Sequence, residues 1–184
     1  MNNKRIAKKI AQEYLNRLSY DFSSVQCNIP EEIANDIFQW GKDNIPDSDL
    51  LEDGREDDIH VTVKYGIHMI DPTKVRDYLM TQKPIEATLG PITLFEADDH
   101  DVVKLDIESP QLRKLNKVIS DNFQVTDTHP EYIPHITIGY VKKGLGKKYD
   151  GRKDFDGKKV VLNSVLFSGK DNRRTLLKFP KQEA

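Results

Sequence analysis

The chain has 184 residues, enough for one domain or for two small lobes that share a core. It is 37% hydrophobic and 32% charged, with a formal net charge of −2, which argues against a membrane-buried chain and against a general nucleic-acid coat protein that wraps an extended duplex. A small nucleotide ligand remains compatible, because it needs only a local positive pocket. The lone Cys27 rules out an internal disulfide and suits a reducing compartment. No apolar run has the length of a membrane span and the start does not read as a signal peptide, so a cytoplasmic location is expected.

Residues 3–18 predict a basic amphipathic helix. Ile6, Ile10, Tyr14 and Leu18 recur at four-residue intervals, and Lys4, Arg5, Lys8, Lys9 and Arg17 decorate the other side. The helix either docks on the domain or offers a partner surface. The organisation expected is therefore a helix within 1–20 and a two-lobed domain over 21–184. Residues 23–29 read as a strand, with Cys27 a buried thiol in it. Pro30 opens a helix whose first turn holds Glu31 and Glu32, where carboxylates suit the dipole. Ile33, Ile37 and Phe38 form its buried stripe, and Gly41 is its expected stop. Trp40 is a candidate for stacking on a base, with core packing as the alternative. Residues 43–58 hold eight Asp or Glu and read as a solvated loop, because their spacing does not match a calcium loop.

A strand then runs to Gly66. Asp71-Pro72 caps a short helix with Val75, Tyr78 and Leu79 inward. Strands follow over 85–89, 92–97 and 102–107, with 98–101 as a turn. Ser109-Pro110 starts a helix that turns Leu112, Leu115, Ile119 and Phe123 to one side. Another strand covers 132–141. Residues 142–159 form a basic, glycine-containing loop, a candidate lid over a phosphate in which Lys147 and Lys148 are candidate contacts. Its alternative is a solvated loop balanced by Asp150, Asp154 and Asp156. Residues 160–167 and 175–179 read as the two strands of a closing hairpin.

Two of these strands repeat one pattern. Ile59-His60-Val61-Thr62-Val63 returns as Pro134-His135-Ile136-Thr137-Ile138. Side chains alternate along a strand, so His60 and Thr62 share a face, continued by Lys64 and Gly66, against Val61, Val63 and Tyr65. Likewise His135, Thr137 and Gly139 oppose Ile136, Ile138 and Tyr140. Two imidazoles flanking one phosphate can divide proton transfer, one taking a proton from the attacking oxygen and one giving a proton to the leaving oxygen. A Thr two residues on can donate to a non-bridging oxygen and hold the phosphate in line. His68 is a further candidate cleft residue, and Tyr65 a candidate wall for substrate. Neither His68 nor His129 has the spacing of a helical zinc site, and no metal or other cofactor is expected.

The paired His-x-Thr motifs resemble the 2H phosphoesterase superfamily over most of the chain. The wording around them, Glu56-Asp57-Asp58-Ile59-His60-Val61-Thr62-Val63-Lys64-Tyr65-Gly66-Ile67-His68 and then Pro134-His135-Ile136-Thr137-Ile138-Gly139-Tyr140-Val141, resembles its phage-type branch. Ile59 departs from the pattern by standing where the second copy has Pro134. The resemblance implies an α+β fold of two lobes, mainly antiparallel sheets around a central cleft with helices outside. It implies a metal-independent phosphodiesterase whose catalytic residues are His60, Thr62, His135 and Thr137. That branch includes phage enzymes that cut the cyclic oligonucleotide messengers of bacterial CBASS immunity, such as cyclic dinucleotides of the cGAMP type. The other substrate it allows is an RNA-terminal 2′,3′-cyclic phosphate, and a non-catalytic nucleotide-binding module is the rival class.

Overall fold

The computed structural model describes residues 21–127, 129 and 131–180, so the helix expected over 3–18 lies outside the described residues. In chain order the strands are β1 Ser23–Asn28, β2 Leu50–Arg55, β3 His60–Ile67, β4 Ile85–Glu96, β5 His100–Glu108, β6 His135–Lys142, β7 Lys159–Leu162, β8 Ser164–Ser168 and β9 Arg174–Lys178. The helices are α1 Glu31–Asn44, α2 Thr73–Leu79 and α3 Pro110–Asn122. One sheet has the order β3-β1-β8-β9 and the other β2-β6-β5-β4-β7. Every pairing in both is antiparallel. The fold is thus α+β, two antiparallel sheets with helices packed on them.

The helices follow their sequence signals except at one end. In α3 the Ser109 hydroxyl accepts the Leu112 N–H at 3.3 Å and donates to the Glu86 carbonyl at 2.7 Å, so one cap both starts the helix and ties it to β4. Leu112, Leu115 and Ile119 are its buried stripe. In α1, however, Gly41 is no stop, and the helix continues to Asn44. The glycine instead allows a close approach: a Cβ there would stand 3.0 Å from Ile138 Cγ2. This contact also places α1 on the side of β6 that carries Ile136 and Ile138.

Three strand readings change for identifiable reasons. The acidic loop contains β2, a charge-rich edge strand that pairs only with β6, Leu50 opposite Val141 and Arg55 opposite Gly139. Residues 85–96 form one strand rather than two, because Gly90-Pro91 is absorbed as a bulge between Leu89↔Ile107 and Ile92↔Leu105. Residues 160–167 form two strands in different sheets, with Asn163 between them: β7 pairs with β4 and β8 with β1. The buried positions Val160 and Leu162, then Val165 and Phe167, slip by one at that residue. The expected hairpin is β8–β9 alone.

This topology brings the two motif strands together. β3 is the edge of its sheet, and β2 covers only the Gly139–Val141 part of β6. The His135 end of β6 is not covered by β2, and β3 and β6 meet where the two sheets adjoin.

Candidate active site

Each motif histidine is the first residue of its strand, and each ring is held the same way. His135 Nδ1 donates to the carbonyl of Ile133, two residues back, at 2.7 Å. His60 Nδ1 makes the same short bond to the carbonyl of Asp58. A carbonyl can only accept, so both rings carry the proton on Nδ1 and keep Nε2 for chemistry. His60, Thr62, His135 and Thr137 are all half-buried, whereas Val61, Val63, Ile136 and Ile138 between and beyond them are buried. The two-sided character read from the sequence is therefore present through each His-x-Thr.

Beyond each Thr the alternation breaks. Thr62 pairs with Gln26 but Lys64 pairs with Val25, so Val63 is an extra residue in β3. Thr137 pairs with Lys104 but Gly139 pairs with Val103, so Ile138 is an extra residue in β6. A bulge reverses the face of everything after it. Lys64 and Gly139 consequently join the buried side, contrary to the expectation above. Tyr65 moves to the His60 side, where it lines a pocket with Ser24 and Gln26. Tyr140 moves to the His135 side, half-buried beside the ring of His100 with centroids 6.1 Å apart. Each motif thus becomes His-x-Thr-x-x-Tyr with three side chains on one face.

The neighbouring strands complete the surroundings of His135. Its ring meets Phe95 edge-on at 4.9 Å between centroids. Lys104, only 4% exposed, holds Nζ 4.4 Å over the same Phe95 ring and donates to Thr93 Oγ1 at 2.6 Å and to Asp106 Oδ1 at 2.5 Å. Asp106 lies opposite His135 across the β5–β6 ladder. Burial holds the His135 imidazole below the ordinary histidine range. The Ile133 carbonyl and Asp106 oppose that fall, and the charge of Lys104 adds to it. This group of Phe95, Thr93, Lys104 and Asp106 was missed from sequence. Its trace was only the polar alternation of β5, Lys104 and Asp106 against Val103 and Leu105, and nothing local says which strand lies alongside.

The other candidates divide. His68 meets the ring of Phe22 edge-on, with ring centroids 5.2 Å apart, and its Nε2 is hydrogen-bonded to Thr126 Oγ1 at 2.9 Å. Trp40 is packed rather than presented: it is 8% exposed, with Arg152 4.8 Å over its ring and Tyr149 edge-on at 6.0 Å. The basic loop is not poised over the motifs. Buried Asp101, on the opposite face of β5 from Lys104, accepts the N–H of Gly144 at 2.8 Å and of Gly146 at 3.1 Å. Tyr149 donates to the Asn44 carbonyl at 2.8 Å and Arg152 to Asn44 Oδ1 at 2.7 Å, which ties the loop to α1. Lys147 and Lys148 belong to this anchored segment, and Lys148 pairs with Asp49 at 2.7 Å. A buried carboxylate needs donors, and that need pins the loop to the α1 side. Among the described residues no group of three or more His, Cys, Asp or Glu is placed to hold a metal, and no helix is long and apolar enough to cross a membrane.

Solved structures share this architecture. TT0787 of Thermus thermophilus matches at 14% identity and a TM-score of 0.58, over 85% of this chain and 95% of that one. E. coli LigT complexed with phosphate matches at 16% identity and a TM-score of 0.53, over 89% and 97%. LigT complexed with 3′-AMP matches at 16% identity and 0.51, over 86% and 95%. No curated protein matches. The fold, with a His-x-Thr strand in each sheet, is that of the 2H phosphoesterase superfamily. Within it, residues 18–172 match the family described as "Anti-CBASS protein Acb1", a span that contains both motifs. The chain belongs to that family. Family and fold together support a phosphodiesterase.

Proposed function

We propose that this protein is a metal-independent phosphodiesterase that cuts the 3′,5′ linkages of cyclic oligonucleotide immune signals in the bacterial cytoplasm. The observation that carries the reading is the matched pair of imidazoles, each with Nδ1 fixed on a carbonyl and a Thr two residues on, in strands that meet between the sheets. His60 and His135 act as the acid–base pair, and Thr62 and Thr137 hold the phosphate oxygens. One imidazole takes the proton of the ribose 2′-hydroxyl as O2′ forms its bond to phosphorus. The P–O5′ bond breaks, and the other imidazole protonates O5′. The resulting 2′,3′-cyclic ester is opened by water with the two roles exchanged. A depressed pKa keeps His135 neutral near pH 7, the form that accepts a proton. Tyr65, which lines the pocket beside the first motif, is the substrate-side residue retained in this reading, while the bond of His68 to Thr126, the packing of Trp40 and the anchoring of Lys147 and Lys148 argue against theirs.

A second reading is opening of RNA-terminal 2′,3′-cyclic phosphates, which the same four residues serve. It is favoured by the likeness to LigT, whose solved complexes include one with 3′-AMP. Mass spectrometry of products, with EDTA present, separates the two. Cleavage of cyclic dinucleotides or trinucleotides, lost in His60→Ala and His135→Ala, is expected. Opening of the RNA end alone transfers the protein to the second reading. Tight retention without cleavage makes it a nucleotide-binding module.

A further inference from the structure

A pocket of about 190 Å³ opens beside the first motif, between β1, β3 and the β8–β9 hairpin. Phe22 and Tyr65 form its aromatic side, ring edge to ring face at 5.6 Å between centroids. Ser24, Gln26, Asn172 and Arg174 supply its polar side. The volume is below the ~300–1,000 Å³ that encloses a drug-sized ligand, so it suits one planar ring system rather than a whole dinucleotide. Gln26 is the ladder partner of Thr62, which sets the pocket next to the motif.

The polar wall is connected to the motif histidine. Gln26 Nε2 donates to Asp58 Oδ2 at 3.3 Å, leaving Oε1 as the acceptor that Gln26 can offer to a ring N–H or an exocyclic amine. The same Asp58 carboxylate lies 4.0 Å from Arg174 Nη1, and the Asp58 carbonyl holds His60 Nδ1. The far wall is also fixed. Buried Ser23 accepts the Lys170 N–H at 2.9 Å and donates to the Met69 carbonyl at 2.6 Å, which pins the β8–β9 turn to β1. Asn172 takes the left-handed conformation of that turn at φ 66°. A binding surface fixed in advance loses little entropy when a ligand arrives.

We propose that this pocket is a nucleobase subsite: Tyr65 stacks on the base of the nucleotide whose phosphate the motifs hold, and Gln26 reads its edge. The proposal deepens the phosphodiesterase reading and rests on it for where the phosphate lies. It also gives the bulge in β3 a purpose, since without the extra residue Tyr65 would fall on the buried side of the sheet.

The test compares ligands that differ only by a base. Adenosine 5′-monophosphate and ribose 5-phosphate are titrated by calorimetry, up to about 10 mM, into the full chain and into its Tyr65→Phe, Tyr65→Ala and Arg174→Ala variants. Base–aromatic stacking of about 1–3 kcal/mol predicts that the base tightens binding by roughly 5- to 150-fold in the wild type. Tyr65→Phe is expected to keep most of that preference and Tyr65→Ala to lose it. Arg174→Ala, a substitution at an exposed side chain, is expected to weaken the monophosphate without unfolding the protein. Equal affinity for the two ligands, no binding of either, or a base preference that survives Tyr65→Ala overturns the proposal. Turnover of a cyclic dinucleotide is measured on the same wild-type preparation. Base preference without turnover rejects cleavage of that cyclic dinucleotide and leaves the subsite standing, whereas turnover without base preference does the reverse.

Discussion

At the scale of single residues, two imidazoles with the same tautomer differ in their surroundings. His135 sits between Phe95, Asp106 and buried Lys104, and its depressed pKa has a consequence for stability. Below the ordinary histidine value of about 6.5 the unfolded chain binds a proton that the folded ring resists. The stability contribution is therefore complete above that value and falls as pH drops through the lower folded value. An NMR titration of the His135 ring is expected to give a pKa below that of an unfolded reference. Lys104→Met removes a cation and leaves Asp106 unpaired, so the His135 pKa is expected to rise. An unchanged or lower value in that variant would show that the Lys104 charge does not contribute to the depression. For catalysis, His60→Ala and His135→Ala are each expected to lower turnover by about 10²- to 10⁴-fold with little change in melting temperature. A loss below tenfold in either would sink the two-histidine mechanism. The His-x-Thr residues could be found from the chain alone because both copies carry the same short pattern. Lys104, Asp106 and Phe95 could not, because their role comes from the register of β5 on β6.

Elements are where alternation and its interruptions matter. Gly66 shows why the end of β3 needs glycine: φ is +91°, and a Cβ would lie 2.0 Å from the Thr126 carbonyl oxygen. Gly66→Ala combines a strained backbone, about 1–3 kcal/mol, with a backbone clash. A fall in melting temperature of at least about 4 °C is expected by calorimetry. A variant as stable as the wild type would mean that the 124–127 segment yields freely. Asp101 tests the placement of the basic loop. Asp101→Ala removes the acceptor of two backbone N–H groups, bonds to a charged group each worth about 1.5–3 kcal/mol. The melting temperature should drop while the KM for nucleotide stays the same, because the loop is anchored on the α1 side. A large rise in KM, matched in Lys147→Ala and Lys148→Ala, would restore the lid.

On the scale of the whole molecule, the two sheets fold as one body around buried side chains from both, Val25, Cys27 and Phe167 from one and Leu105, Ile136 and Leu162 from the other. Cys27 reports on that body. Its thiol is fully buried and its pKa is pushed up to about 12, so it is inert while the fold is closed. Labelling by a thiol reagent is expected to be slow in native buffer and to track unfolding by denaturant. Rapid native labelling would show that β1 opens separately. The sequence by itself determined the motif pair, the helix starts at Pro30 and Ser109 and the apolar side of each motif strand, because those depend on residue type and local period. It misread Gly41, the single strand over 85–96 and the faces of Tyr65 and Tyr140, because a packing glycine and a bulge are defined by the neighbouring element. Only the tertiary structure decided that β3 and β6 meet, that the basic loop is tied to α1 and that a pocket lies beside His60. Those facts depend on strand order and register, which connect residues far apart in the chain and leave no local period to read.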